Sequence, residues 1–219
     1  MMEKLNSLDV QAFYWINGHH CTVLDYILWT FSQGWSWAIV LVAILVFVTA
    51  KREPKAILFV LLGIALCFLL GDRISVVGFK NVVMRLRPCH ALPDVRLFDG
   101  HCGGQYGFVS SHATNCFALA TFLAYRYVRK IKWLPYLLFA WAAVVAYSRP
   151  YLGVHYPGDV LCGALVGVFS AWVCWRLLLW ADGRWGVRVR LMRFSPADFC
   201  WLAGSVIASF LVGLAVNSF

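Results

Sequence analysis

Charge is scarce in this chain. Only 13% of its 219 residues are charged, whereas 62% are hydrophobic; ordinary soluble domains run to about a quarter charged and about half apolar. A soluble core this greasy would leave too few polar side chains to cover its surface, which disfavours a soluble all-helical protein. Also missing are C-x-x-C and zinc-type spacings among the eight cysteines. Most of them, including Cys67, Cys116, Cys162 and Cys174, lie in apolar runs, where a small buried hydrophobe is the default role. The first twenty residues carry Glu3, Asp9, His19 and His20 and no long apolar stretch, so they do not read as a cleavable signal peptide. The first membrane span is then expected to target the protein. Internal repeats, low-complexity tracts and long linkers are absent as well, and 1–219 reads as a single domain.

What the chain has instead is long apolar runs. A spanning helix needs about 20 mostly apolar residues. Six segments meet or approach that length: Trp35–Ala50, Ala56–Met84, Phe108–Tyr125, Trp133–Ser148, Val160–Trp180 and Phe199–Phe219. Two shorter apolar stretches, Leu8–Asn17 and Val23–Phe31, carry Asp9 and Asp25 and read as interfacial or re-entrant helices within 1–33. The expected fold is all-α: an integral membrane bundle of about six transmembrane helices, with residues 35–180 forming the main helix bundle and 199–219 a C-terminal span.

The formal charge of +9 would point a soluble protein toward nucleic acid. Its distribution points elsewhere. Lys51, Arg52 and Lys55 follow the first span, Arg126, Arg129, Lys130 and Lys132 the third, and Arg176, Arg184, Arg188, Arg190 and Arg193 the fifth. With six alternating spans these twelve of the nineteen basic residues fall on one side, which the positive-inside rule makes cytoplasmic. Both termini and the loop Arg85–Val109 then face outward. Seven cations remain: Lys4, Arg73, Lys80, Arg85, Arg87, Arg96 and Arg149. No nucleic-acid partner is expected. No Asp/Glu cluster suited to magnesium lies on the outward side, so neither a metal nor another cofactor is called for.

Three short blocks lie at the outward ends of these spans. Lys80 precedes Arg87-Pro88 by seven positions, close to two helical turns, so the two share a helix face, and two long side chains bridge the rise of about 10 Å to reach one phosphate. Pro88 is expected to end that helix. A lysine in an apolar span is by default a functional candidate, and snorkelling to the near surface is the alternative. Ser110-Ser111-His112 opens the third span, where free N–H groups and the helix dipole favour anions. Ser110 either donates to phosphate or caps the helix, and His112 is suited to general-acid work on a leaving oxygen or to a solvated helix end. In the third block Arg149 follows Ser148, His155 precedes Asp159 by four, and Pro157 suits a first helical turn. Arg149 offers a planar fork of donors for phosphate oxygens, or snorkels. A carboxylate on one imidazole nitrogen leaves the other free to attack phosphorus; the bland alternative is a His–Asp bond satisfying buried polar groups.

The pattern Lys80-x6-Arg87-Pro88, Ser110-x-His112, Ser148-Arg149-x5-His155-x3-Asp159 resembles the type 2 phosphatidic acid phosphatase superfamily. The blocks span 80–159, and the arrangement of spans extends the similarity over roughly 35–180. The resemblance implies a metal-free phosphatase with a phosphohistidine intermediate. His155 would be the nucleophile, Asp159 its orienting partner and His112 the acid, with Lys80, Arg87, Ser110 and Arg149 binding phosphate. Where the family usually has Pro-Ser-Gly-His, this chain has Val109-Ser110-Ser111-His112. Ser111 adds a hydroxyl donor to the phosphate site or narrows it.

The expected activity is hydrolysis of a lipid phosphate or pyrophosphate at the periplasmic face of a bacterial inner membrane. Candidate substrates are undecaprenyl pyrophosphate, phosphatidylglycerophosphate, phosphatidate and lipid A phosphates. The expected partners are that lipid and the bilayer, with no obligate protein partner evident. The alternatives are a phosphatase of a soluble phosphate ester and a non-catalytic lipid or anion transporter. A haloperoxidase is disfavoured, since those relatives are soluble. Asp72-Arg73 is expected as a paired, inward-facing couple. Cys89 and Cys102 flank the outward loop and either form a disulfide, if that side is oxidising, or remain free.

Overall fold

The computed structural model describes residues 2–34, 54–128, 132–185 and 204. The expected first and last spans, Trp35–Ala50 and nearly all of Phe199–Phe219, lie outside the described residues, as do most of the basic residues used to orient the chain. The described chain is all-helical, without strands. Helices α1 (Met2–Gly18) and α2 (Thr22–Ser32) precede α3 (Pro54–Arg73), α4 (Ser111–Tyr127), α5 (Leu134–Tyr151) and α6 (Pro157–Trp185). Two stretches, Leu58–Val83 and Pro157–Arg184, are long and apolar enough to cross a membrane.

Helix α4 is the hub, packing on α6, α5 and α3. Its closest neighbour is α6, and the reason is glycine. A Cβ at Gly163 would meet the Ser110 carbonyl at 2.6 Å, and one at Gly167 would meet the Ala118 nitrogen at 2.9 Å. These two positions, four apart on one face of α6, let backbone approach backbone as in small-residue interfaces between membrane helices. The close approach sets the start of α4 beside the start of α6, where the Ser110 N–H donates to the Asp159 carbonyl at 3.0 Å. Phe122, Leu119, Cys67 and Val60 fill the core farther down. The outer face of α6 is apolar instead: Leu161, Leu165, Phe169 and Trp172 are 67%, 70%, 53% and 49% exposed. That inverts the soluble pattern, in which the exposed face of a helix is polar.

The first two helices dock on the same end of the bundle. Phe13 is fully buried and Leu28 nearly so. A half-buried ion pair ties this region to the loop before α4: both nitrogens of the Arg96 fork reach Asp25, at 2.9 and 2.5 Å, and Tyr151 donates to Asp25 at 2.8 Å. Asn17 completes the tie by accepting from Arg96 N–H at 2.9 Å and donating to the Tyr151 carbonyl at 2.9 Å.

The structure corrects four local expectations. Lys80 and Arg87 do not share a helix: α3 continues as a π-helical stretch (Ile74–Lys80) and a last turn (Asn81–Val83), and Met84 then leaves it in the left-handed region at φ 50°. Pro88 therefore does not end that helix; it begins a short turn, Pro88–Ala91, for which its fixed φ is suited. Asp72 and Arg73 are exposed rather than inward-facing, and no ion pair joins them; successive helical residues point about 100° apart and do not face each other. Arg126 is not in a loop but buried in the last turn of α4, its guanidinium 5.4 Å from the Tyr127 ring and 5.8 Å from that of Phe59. Arg176 and Arg184 likewise lie within α6.

Candidate active site

The site is assembled where α4 and α6 begin, α5 ends and the chain leaves α3. Pro157 is the first residue of α6. Asp159, in the first turn, reaches back so that Oδ2 accepts the Tyr156 N–H at 3.1 Å, the carboxylate half of a capping box. The same Oδ2 lies 3.4 Å from His155 Nδ1, within ion-pair range though not as an aligned hydrogen bond. Both side chains are sealed from solvent, at 1% exposed for His155 and none for Asp159.

Burial, then the nearby charges of Arg87, Arg149 and Lys80, holds the His155 imidazole well below its ordinary value of 6.5. A lowered value means the neutral form, whose lone pair attacks, persists as pH falls. In a histidine NMR titration His155 is expected to remain neutral through pH 6.5 and to protonate only below it. A midpoint at or above 6.5 would contradict this environment.

Ser110 is the N-cap of α4: it is fully buried and its Oγ accepts the Ala113 N–H at 3.5 Å. The hydroxyl that meets a cation is instead Ser111, which accepts from Lys80 Nζ at 2.8 Å and lies 2.8 Å from Ser75 Oγ. The π-helical stretch is what presents both Ser75 and Lys80 to α4. His112, half-buried one residue on, sits within Coulombic range of Arg149, His155, Arg87 and Lys80.

Arg87 comes from the extended residue before Pro88, its Nη1 donating to the carbonyls of Cys102 at 3.3 Å and Val154 at 3.4 Å. Arg149, in the last turn of α5, contacts Ser32 Oγ at the end of α2. In both arginines Nε is a buried donor with no protein acceptor. Two guanidiniums, each with a buried donor to spare, suit a phosphate. A cavity bordered by Trp29, Ser32, Phe98, Asp99 and His101 leads to Arg149.

The sequence-nominated residues thus come together from four separate segments. Arg85, Asp9, Ser75 and Ser32 also reach the site, and the sequence reading did not assign them a role. Arg85 was visible as one of the seven outward cations and Asp9 as an acid within a short apolar stretch; Ser75 and Ser32 carry no local signal.

Cys89 and Cys102 are joined in a disulfide. Among the described residues the one grouping with metal-ligand character is Cys89, His90 and Cys102, and its two sulfurs are consumed by that bond. The bridge closes the loop whose Cys102 carbonyl holds Arg87. Reduction, or replacement of both cysteines by serine, is expected to raise KM several-fold with a smaller change in kcat, measured as phosphate release; equal kinetics in both redox states would show that Arg87 needs no such support.

A family model for the PAP2 superfamily matches residues 55–182. The chain belongs to that superfamily. PAP2 lipid phosphatases hydrolyse phosphate esters, and this chain is an enzyme of that class. It is 34% identical over 188 residues to a lipid A 4'-phosphatase of Porphyromonas gingivalis, covering 84% of this chain and 78% of that one. A lipid A 4'-phosphatase of Bacteroides thetaiotaomicron is 34% identical over 177 residues, covering 79% and 78%. The crystal structure of Aquifex aeolicus LpxE superposes with a TM-score of 0.59 at 27% identity, over 77% of this chain and 95% of that one. The PAP2 match begins after α1 and α2 and ends near the end of α6, so both N-terminal helices lie outside it.

Proposed function

We propose that this PAP2 enzyme removes a phosphate from a lipid A-type substrate through a phosphohistidine on His155. The observation that carries the covalent reading is the sealed His155–Asp159 pair, with Nδ1 facing a carboxylate beside two arginines that each keep a buried donor unpartnered. Binding alone needs no oriented imidazole, which separates this reading from a transporter. The 34% identity to two lipid A 4'-phosphatases over most of each chain supports the choice of lipid.

In the first step His155 Nε2 attacks phosphorus and the bond from phosphorus to the lipid oxygen breaks. His112, protonated when the phosphate's negative charge offsets Lys80, Arg87 and Arg149 around it, gives its proton to that oxygen. Asp159 faces Nδ1–H and stabilises the positive charge of the phosphorylated ring. In the second step the now neutral His112 takes a proton from water, the oxygen attacks phosphorus and the P–N bond breaks. Lys80, Arg87 and Arg149 hold the phosphate oxygens throughout, and preorganised donors of this kind lower the barrier most where charge develops. Ser111 joins them through Lys80, and Ser110 shapes the start of α4.

The apolar outer face of α6, with Leu161, Leu165, Phe169 and Trp172, favours a bundle of about six spans in a bacterial inner membrane. The loop Arg85–Val109 and the site then lie on the periplasmic side. The cavity between α2 and Phe98–His101 leads to Arg149 and suits a phosphorylated headgroup. Purified protein in detergent, given lipid A, undecaprenyl pyrophosphate, phosphatidylglycerophosphate and phosphatidate in the presence of chelator, is expected to release phosphate fastest from lipid A. Vanadate should inhibit as a phosphate mimic. Release only from a soluble ester, or release abolished by chelator, would overturn the proposal.

A further inference from the structure

The cation in direct contact with Asp159 does not come from the three blocks. Asp159 is buried and its two oxygens are fully engaged. Oδ2 serves the Tyr156 N–H and faces His155, while Oδ1 accepts from Arg85 Nη1 at 2.8 Å. The same Nη1 lies 2.8 Å from Asp9 Oδ2, on α1. The other oxygen of Asp9 accepts the Gly158 N–H at 2.7 Å, at the start of the helix that carries Asp159. Arg85 Cζ lies over the Tyr156 ring, 3.8 Å from its centroid, and Nη2 donates to Asn6 at 3.0 Å.

We propose that Asp9 and Arg85 are positioning residues for His155, forming a carboxylate–guanidinium–carboxylate chain that orients Asp159 and leaves the group with one net negative charge. The proposal rests on His155 being the nucleophile. A guanidinium bound to Asp159 alone would neutralise it. A second carboxylate on the far side offsets the guanidinium, so Asp159 still presents a full charge to the ring. The phosphorylated imidazole, protonated at Nδ1, is cationic and takes that charge as its partner. Geometry points the same way: Arg85 is pinned by a ring, two carboxylates and an amide side chain. A lysine at that position keeps the charge but not the fork. Asp9 also sits outside the segment matched to the PAP2 family, so α1 contributes to the site from outside the matched segment.

The phosphate is held by other groups, Lys80, Arg87 and Arg149, so loss of the chain should slow chemistry and spare binding. Asp9→Asn keeps the shape and an acceptor for Gly158 but removes the charge. It is expected to lower kcat and the pre-steady-state rate of phosphoenzyme formation roughly 10-fold, with KM unchanged within about two-fold, the pattern of an interaction made in the transition state. Arg85→Ala should cost on the order of 100-fold in the same two readouts, as misplacement of a reacting group does, and Arg85→Lys should recover part of it. Gln11→Ala, on an exposed face of α1, should match the parent protein. If kcat is unchanged in Asp9→Asn, or if only KM rises, α1 is a structural strut and the proposal fails. If Arg85→Ala or Asp9→Ala does not fold, the isosteric Asp9→Asn decides. His155→Ala, run alongside, separates the two layers: activity surviving there refutes the nucleophile assignment, whereas an inactive His155→Ala with a fully active Asp9→Asn refutes the positioning chain alone.

Discussion

Replacing His155 with alanine is expected to lower kcat by at least about a thousandfold, since removing a nucleophile that acts with a partner eliminates the whole covalent route. The loss should fall on kcat rather than KM. The ring is 1% exposed, with Arg87, Arg149 and Lys80 charged nearby, and those cations remain to bind phosphate. Asp159→Asn should be milder. An amide still offers an oxygen to Nδ1–H, and it is the charge stabilisation of the phosphorylated ring that is lost. A His155→Ala variant that still bound vanadate while failing to turn over would show both halves of this argument in one protein. Unchanged turnover would transfer the reaction to direct attack by water.

The second large effect is expected at His112. General-acid and general-base catalysis contributes roughly 10²- to 10⁴-fold, and His112→Gln should lose about that on a lipid substrate. The diagnostic lies in the leaving group. A lipid sugar alkoxide is a poor leaving group and needs its proton, whereas an aryl phosphate leaves readily without one. His112→Gln should therefore be far less damaging to release of the phenol in the first turnover of an aryl phosphate. Breakdown of the phosphoenzyme still needs a base for water, so the variant should show a burst of phenol followed by slow turnover. An equal loss on both substrates, with no burst, would make His112 a binding residue.

The second and third blocks were legible in the sequence because each is local: short spacings at a helix start fix which side chains lie together. His155 with Asp159, the Pro157 start and the Ser110 cap all follow from such short-range rules, and the structure shows those features. The all-helical class followed from composition. Failures came where backbone departs from the ordinary helix. A π-helical stretch and a left-handed Met84 separate Lys80 from Arg87, and no seven-residue spacing reveals that. Ser111 was identified as the departure from the family pattern; that it meets Lys80 and Ser75 is a tertiary fact. Asp9 lies 149 positions from Gly158 and Ser32 lies 117 from Arg149. Contacts at such separations have no periodicity, so an acidic residue in an apolar helix looked like a mark of the interface when it was also a partner of the site.

The glycines of α6 carry a related lesson. Gly163 and Gly167 received no role from the sequence, yet they determine how closely α6 approaches α4. That approach sets the start of α4, which carries His112, beside the start of α6, which follows His155. The chemistry of the blocks was readable residue by residue, while the packing that makes them one site depended on positions without any chemistry.

The most direct measurement of the central claim is alkaline rapid quench of the enzyme with labelled lipid substrate, followed by peptide mapping of the trapped phosphate. Phosphate bound through nitrogen to the peptide containing His155, formed and lost at rates compatible with turnover, is the result this account predicts. Quenched enzyme that turns over normally but carries no phosphate on His155, or carries it on His112, would contradict it.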